Sequence, residues 1–172
     1  MKIKTKISFT EYRKLLFGLA YKKPMMKVIV GVGAAMLVWI LGYYFHFLPV
    51  PRPQIYQYIT LVLIAIVQPT VIFWTIKRNY DSSNHLREQL EIEISNTEIK
   101  ISGESFYTKI AWKKIFKIDE QVNWFLFYQN NLSAIILPKK DLTISQIEEI
   151  RQIVGAIGNI PVHLLHADRT GK

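Results

Sequence analysis

The 172-residue sequence predicts an α-helical membrane hairpin of two transmembrane helices plus a small α+β domain, an antiparallel sheet or barrel capped by a C-terminal helix. Three observations lead there. Residues 28–48 and 55–76 contain no Lys, Arg, Asp or Glu. From Leu90 onward apolar and polar residues alternate, the period of a half-buried strand. Near the end, Ile147, Ile150, Val154 and Ile157 recur at helical spacing.

Composition narrows the function classes. There is no cysteine, which excludes disulfides, thiolate metal sites and cysteine nucleophiles. The net charge of +9 is unevenly spread. Residues 1–27 hold eight Lys/Arg against the single acid Glu11, whereas Lys77 to Lys172 holds thirteen basic and twelve acidic residues. Nucleic-acid binding needs a concentrated basic face on the folded domain. The surplus lies beside the apolar stretches instead, so nucleic acid is not an expected partner.

The first 27 residues read as a basic cytoplasmic arm. Lys2 to Ile7 alternates basic and apolar residues like a short edge strand. Ser8-x-x-Glu11 has the form of a capping box. Tyr12, Leu15, Leu16 and Leu19 then give an amphipathic helix, expected to lie against the inner leaflet or on the soluble domain. Pro24 ends or bends it.

Residues 28–48 and 55–76 are each long enough to cross the ~30 Å hydrocarbon core as a helix. The first is the stronger, since the second includes Gln57, Thr60, Gln68, Pro69, Thr70 and Thr75. Pro69 removes a backbone donor and crowds the carbonyl of Ala65, which predicts a kink. The Pro-rich turn at 49–54 is too short for anything but antiparallel helices. Lys22, Lys23 and Lys27 flank the first helix and Lys77 and Arg78 follow the second, while the turn holds only Arg52. The positive-inside rule then puts both termini in the cytoplasm of a multi-pass protein of the cell (inner or plasma) membrane. A cleaved signal peptide is not expected, because 27 residues precede an apolar run longer than a usual h-region.

Gly31, Ala35 and Gly42 share one face of the first helix, and Gln57, Thr60, Gln68 and Thr75 share one face of the second. Small residues let backbones approach and buried amides seek partners, so these faces are expected to pack on each other within the hairpin. A homo-oligomer or a polar path is the sharper alternative. Gln and Thr without an intramembrane acid or base make a poor ion route.

Residues 77–89 read as a polar connector. The domain is expected over 90–158, followed by a tail at 159–172. Its strands are predicted at 90–94, 99–101, 106–112, 115–119, 124–128 and 134–137, with Pro138 closing the last. Ser145-x-x-Glu148 and Thr143-x-x-Gln146 compete as starts of the final helix, and Gly158 is placed to end it.

Glu98-Ile99-Lys100-Ile101, the step Trp112-Lys113-Lys114-Ile115, Phe125-Leu126-Phe127-Tyr128, the run from Ala134 to Lys140 and the closing helix together resemble the YcxB-like family of bacterial membrane proteins. The resemblance implies a membrane-anchored tail similar to a pleckstrin-homology-like domain. It implies no reaction and no catalytic residues.

The residues themselves offer little chemistry. His163-x-x-His166, with Asp168, is the only close histidine pair and reads as a solvated tail rather than a metal site. Asp119-Glu120 and Glu148-Glu149 are adjacent pairs whose side chains diverge. Ser102-Gly103-Glu104-Ser105 is a turn. No enzyme, cofactor or metal is expected. Lys109, Lys113, Lys114 and Lys117 form a basic run whose plain reading is a solvated sheet face. With Lys22, Lys23, Lys27, Lys77 and Arg78, they are also candidates to contact anionic headgroups. The expectation is a membrane-anchored binding or scaffold module with the bilayer and an unidentified protein as partners. The alternative is a small accessory subunit of a transporter or membrane enzyme, acting through its hairpin.

Overall fold

In a computed structural model, residues 1–131, 133–158 and 160–165 are described, the side chain of His85 excepted. The chain divides into two compact units, Ser8–Ser83 and Met1–Ile7 together with Asn84 onward.

The helical unit begins with α1 (Phe9–Lys22), capped by Ser8 and Glu11 in the expected reciprocal box. Pro24 does not merely end this helix; it is the first residue of α2 (Pro24–Tyr44), where its missing N–H is harmless. The next helix runs over Ile55–Ser82, as α3 (Ile55–Val62), a π-helical turn at Leu63–Val67 and α4 (Gln68–Ser82). Both α2 and the Ile55–Ser82 helix are long and apolar enough to cross a membrane. The connector predicted at 77–89 is therefore largely helical: α4 runs to Ser82 and α5 (Asn84–Arg87) follows.

Pro69 accounts for the π turn. Its ring cannot donate to the preceding turn, and the Gln68 N–H bonds to Leu63 O instead, five residues back. The expected kink is thus a widened turn. Helix α1 packs on α4, a third arrangement beyond the two foreseen. Phe9 meets the rings of Phe73 and Tyr80 at 6.0 and 5.4 Å, Tyr12 meets Tyr80 at 5.7 Å, and Tyr12 and Leu15 are buried.

The other unit holds two sheets. Strands β1 (Lys2–Thr5), β2 (Leu90–Ile94), β3 (Glu98–Ser102) and β4 (Tyr107–Ala111) form an antiparallel sheet in that order. The second sheet has the order β7-β6-β5-β8, from β5 (Lys117–Glu120), β6 (Trp124–Tyr128), β7 (Ala134–Pro138) and β8 (Val162–His163). Among the described residues only β5 and β8 are parallel, and β8 lies in the stretch predicted to be a tail. Helix α6 (Ile144–Gly155) starts from Thr143 with Gln146, not from Ser145, and ends before Gly158.

Alternation puts Ile3, Ile92, Ile94, Ile99, Ile101 and Ile110 on the inner face of the first sheet, and Ile118, Phe125, Phe127 and Leu137 on that of the second. Trp112, Ile115, Ile150 and Val154 join the same core. The unit is thus wider than 90–158, since β1 and β8 belong to its sheets. Glu88 anchors the approach to β2, accepting hydrogen bonds from the Ser105 N–H (2.9 Å) and hydroxyl (2.5 Å). Gly103 lies close beside it, where a Cβ would crowd the Phe106 ring and lie 2.6 Å from the Glu88 carboxylate, so that those side chains would have to move.

Candidate functional site

The basic run of residues 109–117 has three different fates. Lys109 belongs to the outer face of the first sheet, where register sets Lys2 beside Glu93, Lys4 beside Glu91, Glu93 beside Lys100 and Lys100 beside Lys109. Glu98 takes Lys109 at 2.9 Å and Lys100 at 3.7 Å, Lys100 also reaches Glu93 at 3.7 Å, and Lys2 reaches Glu91 at 3.5 Å. The hydrogen bond from Lys109 holds the Glu98 carboxyl below its ordinary value, and Glu98 raises Lys109 in turn. This face is compensated by its own carboxylates.

Lys117 is half-buried on β5, with its ammonium 4.3 Å from the centre of the Tyr128 ring, a cation–π contact. Lys113 and Lys114 behave differently. They sit on a single 3-10 turn, Trp112–Lys114, that joins the two sheets. Trp112 fixes the turn: its indole N–H donates to Ser95 O at 2.8 Å and its backbone N–H to Thr97 O at 3.2 Å. Ile115 N–H closes the turn on Trp112 O at 2.8 Å, and Phe116 N–H bonds Tyr128 O at 2.7 Å. The side chains of Lys113 and Lys114 project from this pinned backbone, and neither makes an ion pair among the described residues. Phe116 beside them is 51% exposed. Alternation alone would have sent Phe116 inward or left it ambiguous; the 3-10 turn resets the phase so that Ile115 and Ile118 are buried instead.

A second cluster was not foreseen as one. Glu120 is 3% exposed, and its carboxylate accepts from Lys139 at 2.5 Å, from Arg151 Nε and Nη2 at 2.6–3.2 Å, and from the Leu165 N–H at 3.3 Å. Arg151 also bonds Glu148. Burial pushes the Glu120 carboxyl up, but the hydrogen bonds from Arg151 and Lys139 outweigh it and leave the group below its ordinary value. The cluster ties β5, the turn after β7, α6 and the stretch after β8. The adjacent Asp119 is half-exposed, so the two acids do diverge.

In the helical unit, Lys22, Lys23, Lys27, Lys77 and Arg78 are all exposed. Gly31 and Ala35 are exposed too, and a Cβ on Gly31 would meet nothing within 4 Å. Gly33 is the residue against the partner helix, where a Cβ would lie 2.9 Å from Ile64. The less exposed residues of α2 run Met26, Ile29, Gly33, Met36, Ile40 and Tyr43, the 3-4 spacing of a helix seam, which leaves Gly31 and Ala35 outside. Gly42 is buried, covered by Leu48 rather than by the second helix. Gln57 is buried, with its side-chain oxygen accepting from the Gln54 N–H at 2.7 Å, and the Gln68 amide donates to the Met26 sulfur. Thr60, Thr70 and Thr75 each donate to the carbonyl four residues back. Those hydroxyls are satisfied within one helix.

His163 is exposed on β8; His166 and Asp168 lie outside the described residues. Among the described residues, no group of three His, Asp or Glu side chains is placed to hold a metal ion.

Residues 94–154, from the end of β2 to the last buried residue of α6, match the family model described as YcxB-like protein. This segment is similar to YcxB-like proteins. It contains β3 to β7, the Trp112–Lys114 turn and α6, and so most of the common core. Strand β1, most of β2, the helical unit and β8 lie outside the YcxB-like match. No curated protein and no solved structure matches the chain significantly.

Proposed function

We propose that the chain is a membrane-anchored, non-enzymatic binding or scaffold module that presents its YcxB-like domain at the cytoplasmic face of the cell membrane. The observation that carries this reading is the pairing of β1 with β2. Strand β1 precedes the two long apolar helices and β2 follows them, yet they share one sheet in register from Lys2–Glu93 to Thr5–Leu90. Segments paired in one sheet lie on one side of a bilayer, so helices inserted between them must cross it an even number of times.

The surface of the helical unit supports insertion. Among the described residues, 21 of the 26 exposed large hydrophobics belong to it, including Val28, Ile59, Ile66 and Val71. A water-soluble helical pair would not leave so much apolar surface uncovered. The exposed basic residues at the ends of both helices favour a cytoplasmic location for the termini. The two sheets closed by α6 favour a pleckstrin-homology-like description of the domain, a fold suited to binding rather than to chemistry.

With no native cysteine, topology is directly testable. Cysteine at position 52 (Arg52→Cys) should react with an impermeant thiol reagent in intact cells, and Ser102→Cys should react only after permeabilisation. The opposite labelling would overturn the orientation, and labelling of both from outside would overturn insertion.

A second reading is favoured by the outward Gly31 and Ala35. A small-residue face with no neighbour within its own unit suits close approach by a helix of another membrane protein. The hairpin would then serve as an accessory subunit of a transporter or membrane enzyme.

A further inference from the structure

We propose that the turn at residues 112–116 is a docking site for an acidic, partly apolar segment of a protein partner. The inference rests on the reading of the chain as a membrane-anchored module, and it names that module's contact surface.

The first argument is charge. Lys2, Lys100 and Lys109 are taken up by the carboxylates of their own sheet, and Lys139 and Arg151 by the buried Glu120. Lys113 and Lys114 are two adjacent exposed cations without such a partner among the described residues. The nearest acid by register, Glu98 opposite Ala111, is already engaged by Lys109 and Lys100.

The second argument is the exposed ring. Phe116, 51% exposed, is held by its backbone bond to Tyr128 and by the Trp112 anchor one turn earlier. A rigidly presented aromatic loses little entropy on binding, and such residues carry a large share of interface energy. Cations flanking it select acidic partners.

The third argument chooses protein over lipid. The chain passes to and from the helical unit at the end of the first sheet where β1 finishes and β2 starts. The 112–116 turn lies at the opposite end, next to the β2–β3 turn to which Trp112 bonds.

The test uses the full chain in zwitterionic nanodiscs and a labelled synthetic peptide alternating Asp or Glu with Leu. Binding by fluorescence anisotropy is expected at low salt and should weaken as salt rises. The double variant Lys113→Glu/Lys114→Glu should lower affinity at least about tenfold, and Phe116→Ala several-fold. Lys4→Glu/Lys6→Glu, with the same change in net charge at the other end of the sheet, should bind as the parent does. Absence of peptide binding at low salt, or equal loss in the two double variants, would overturn the site. Lysine-dependent capture of separate phosphatidylserine vesicles without peptide binding would overturn it in favour of lipid. The same titration in detergent keeps this result separate from bilayer insertion, which the thiol labelling reads.

Discussion

Glu120 shows how one residue can organise a domain that has no other buried carboxylate among its described residues. Its carboxylate sits inside the second sheet, satisfied by Lys139, Arg151 and a backbone N–H from the stretch after β8. Glu120→Gln would remove the countercharge from two partly buried cations. Breaking a buried pair on one side costs ~3–5 kcal/mol, a large share of a small domain's stability. The pH dependence has a definite sign. The folded-state carboxyl is held below its unfolded value of about 4.3. Its contribution is therefore complete above that value and is lost as pH falls through the lowered one. Thermal melts of the parent and Glu120→Gln at pH 7 should differ widely, and the gap should close in acid below the carboxylate range. A gap constant with pH would mean that Glu120 contributes by packing and not by charge. In sequence this residue read as half of an adjacent acid pair with diverging side chains, because alternation reports which face a side chain takes but not that a distant arginine waits on that face.

At the scale of elements, β1 to β4 were legible from period-two alternation because each has one face in the core, and β6 and β7 as short apolar runs bounded by turn residues. The same physics hid β8: two residues carry no period, and Val162–His163 becomes a strand only because β5 offers an open edge. Thr143 prevailed over Ser145 as helix cap, since both boxes fit the pattern and only tertiary context separates them. In the hairpin, small residues were legible but not their direction. Gly31 and Gly33 are two positions apart, about 200° around the helix, so the seam can contain only one of them. The pair yields a sharp comparison. Gly33→Leu should lower the melting temperature of the detergent-solubilised chain, by roughly the 1–3 kcal/mol typical of overpacking. Gly31→Leu should leave it unchanged, while abolishing any association that uses the Gly31–Ala35 face. Equal effects of the two substitutions would place the seam elsewhere.

For the whole molecule, the domain is assembled from both sides of the helical pair. A fragment beginning at residue 88 lacks Ile3, Thr5 and Ile7, all buried, and leaves β2 with an open, apolar edge. Joining residues 1–7 to 84–172 through a short Gly/Ser linker should restore that edge and give a soluble, cooperatively melting domain. The 88–172 fragment should melt lower or aggregate; if the two behave alike by circular dichroism and size exclusion, β1 is dispensable. The pairing of β1 with β2 also has a consequence in time. During synthesis at ~5–20 residues per second, β1 emerges first and waits on the order of 5–20 s for its partner strand. Throughout that interval the ribosome is producing the two apolar helices, and the N-terminal seven residues have nothing to fold against. The first sheet can close only when the second of these helices has been made and the chain has come back. Completion of the domain thus reports, in the folding of one polypeptide, that both long helices have been made and that the strands on either side of them in the chain have met.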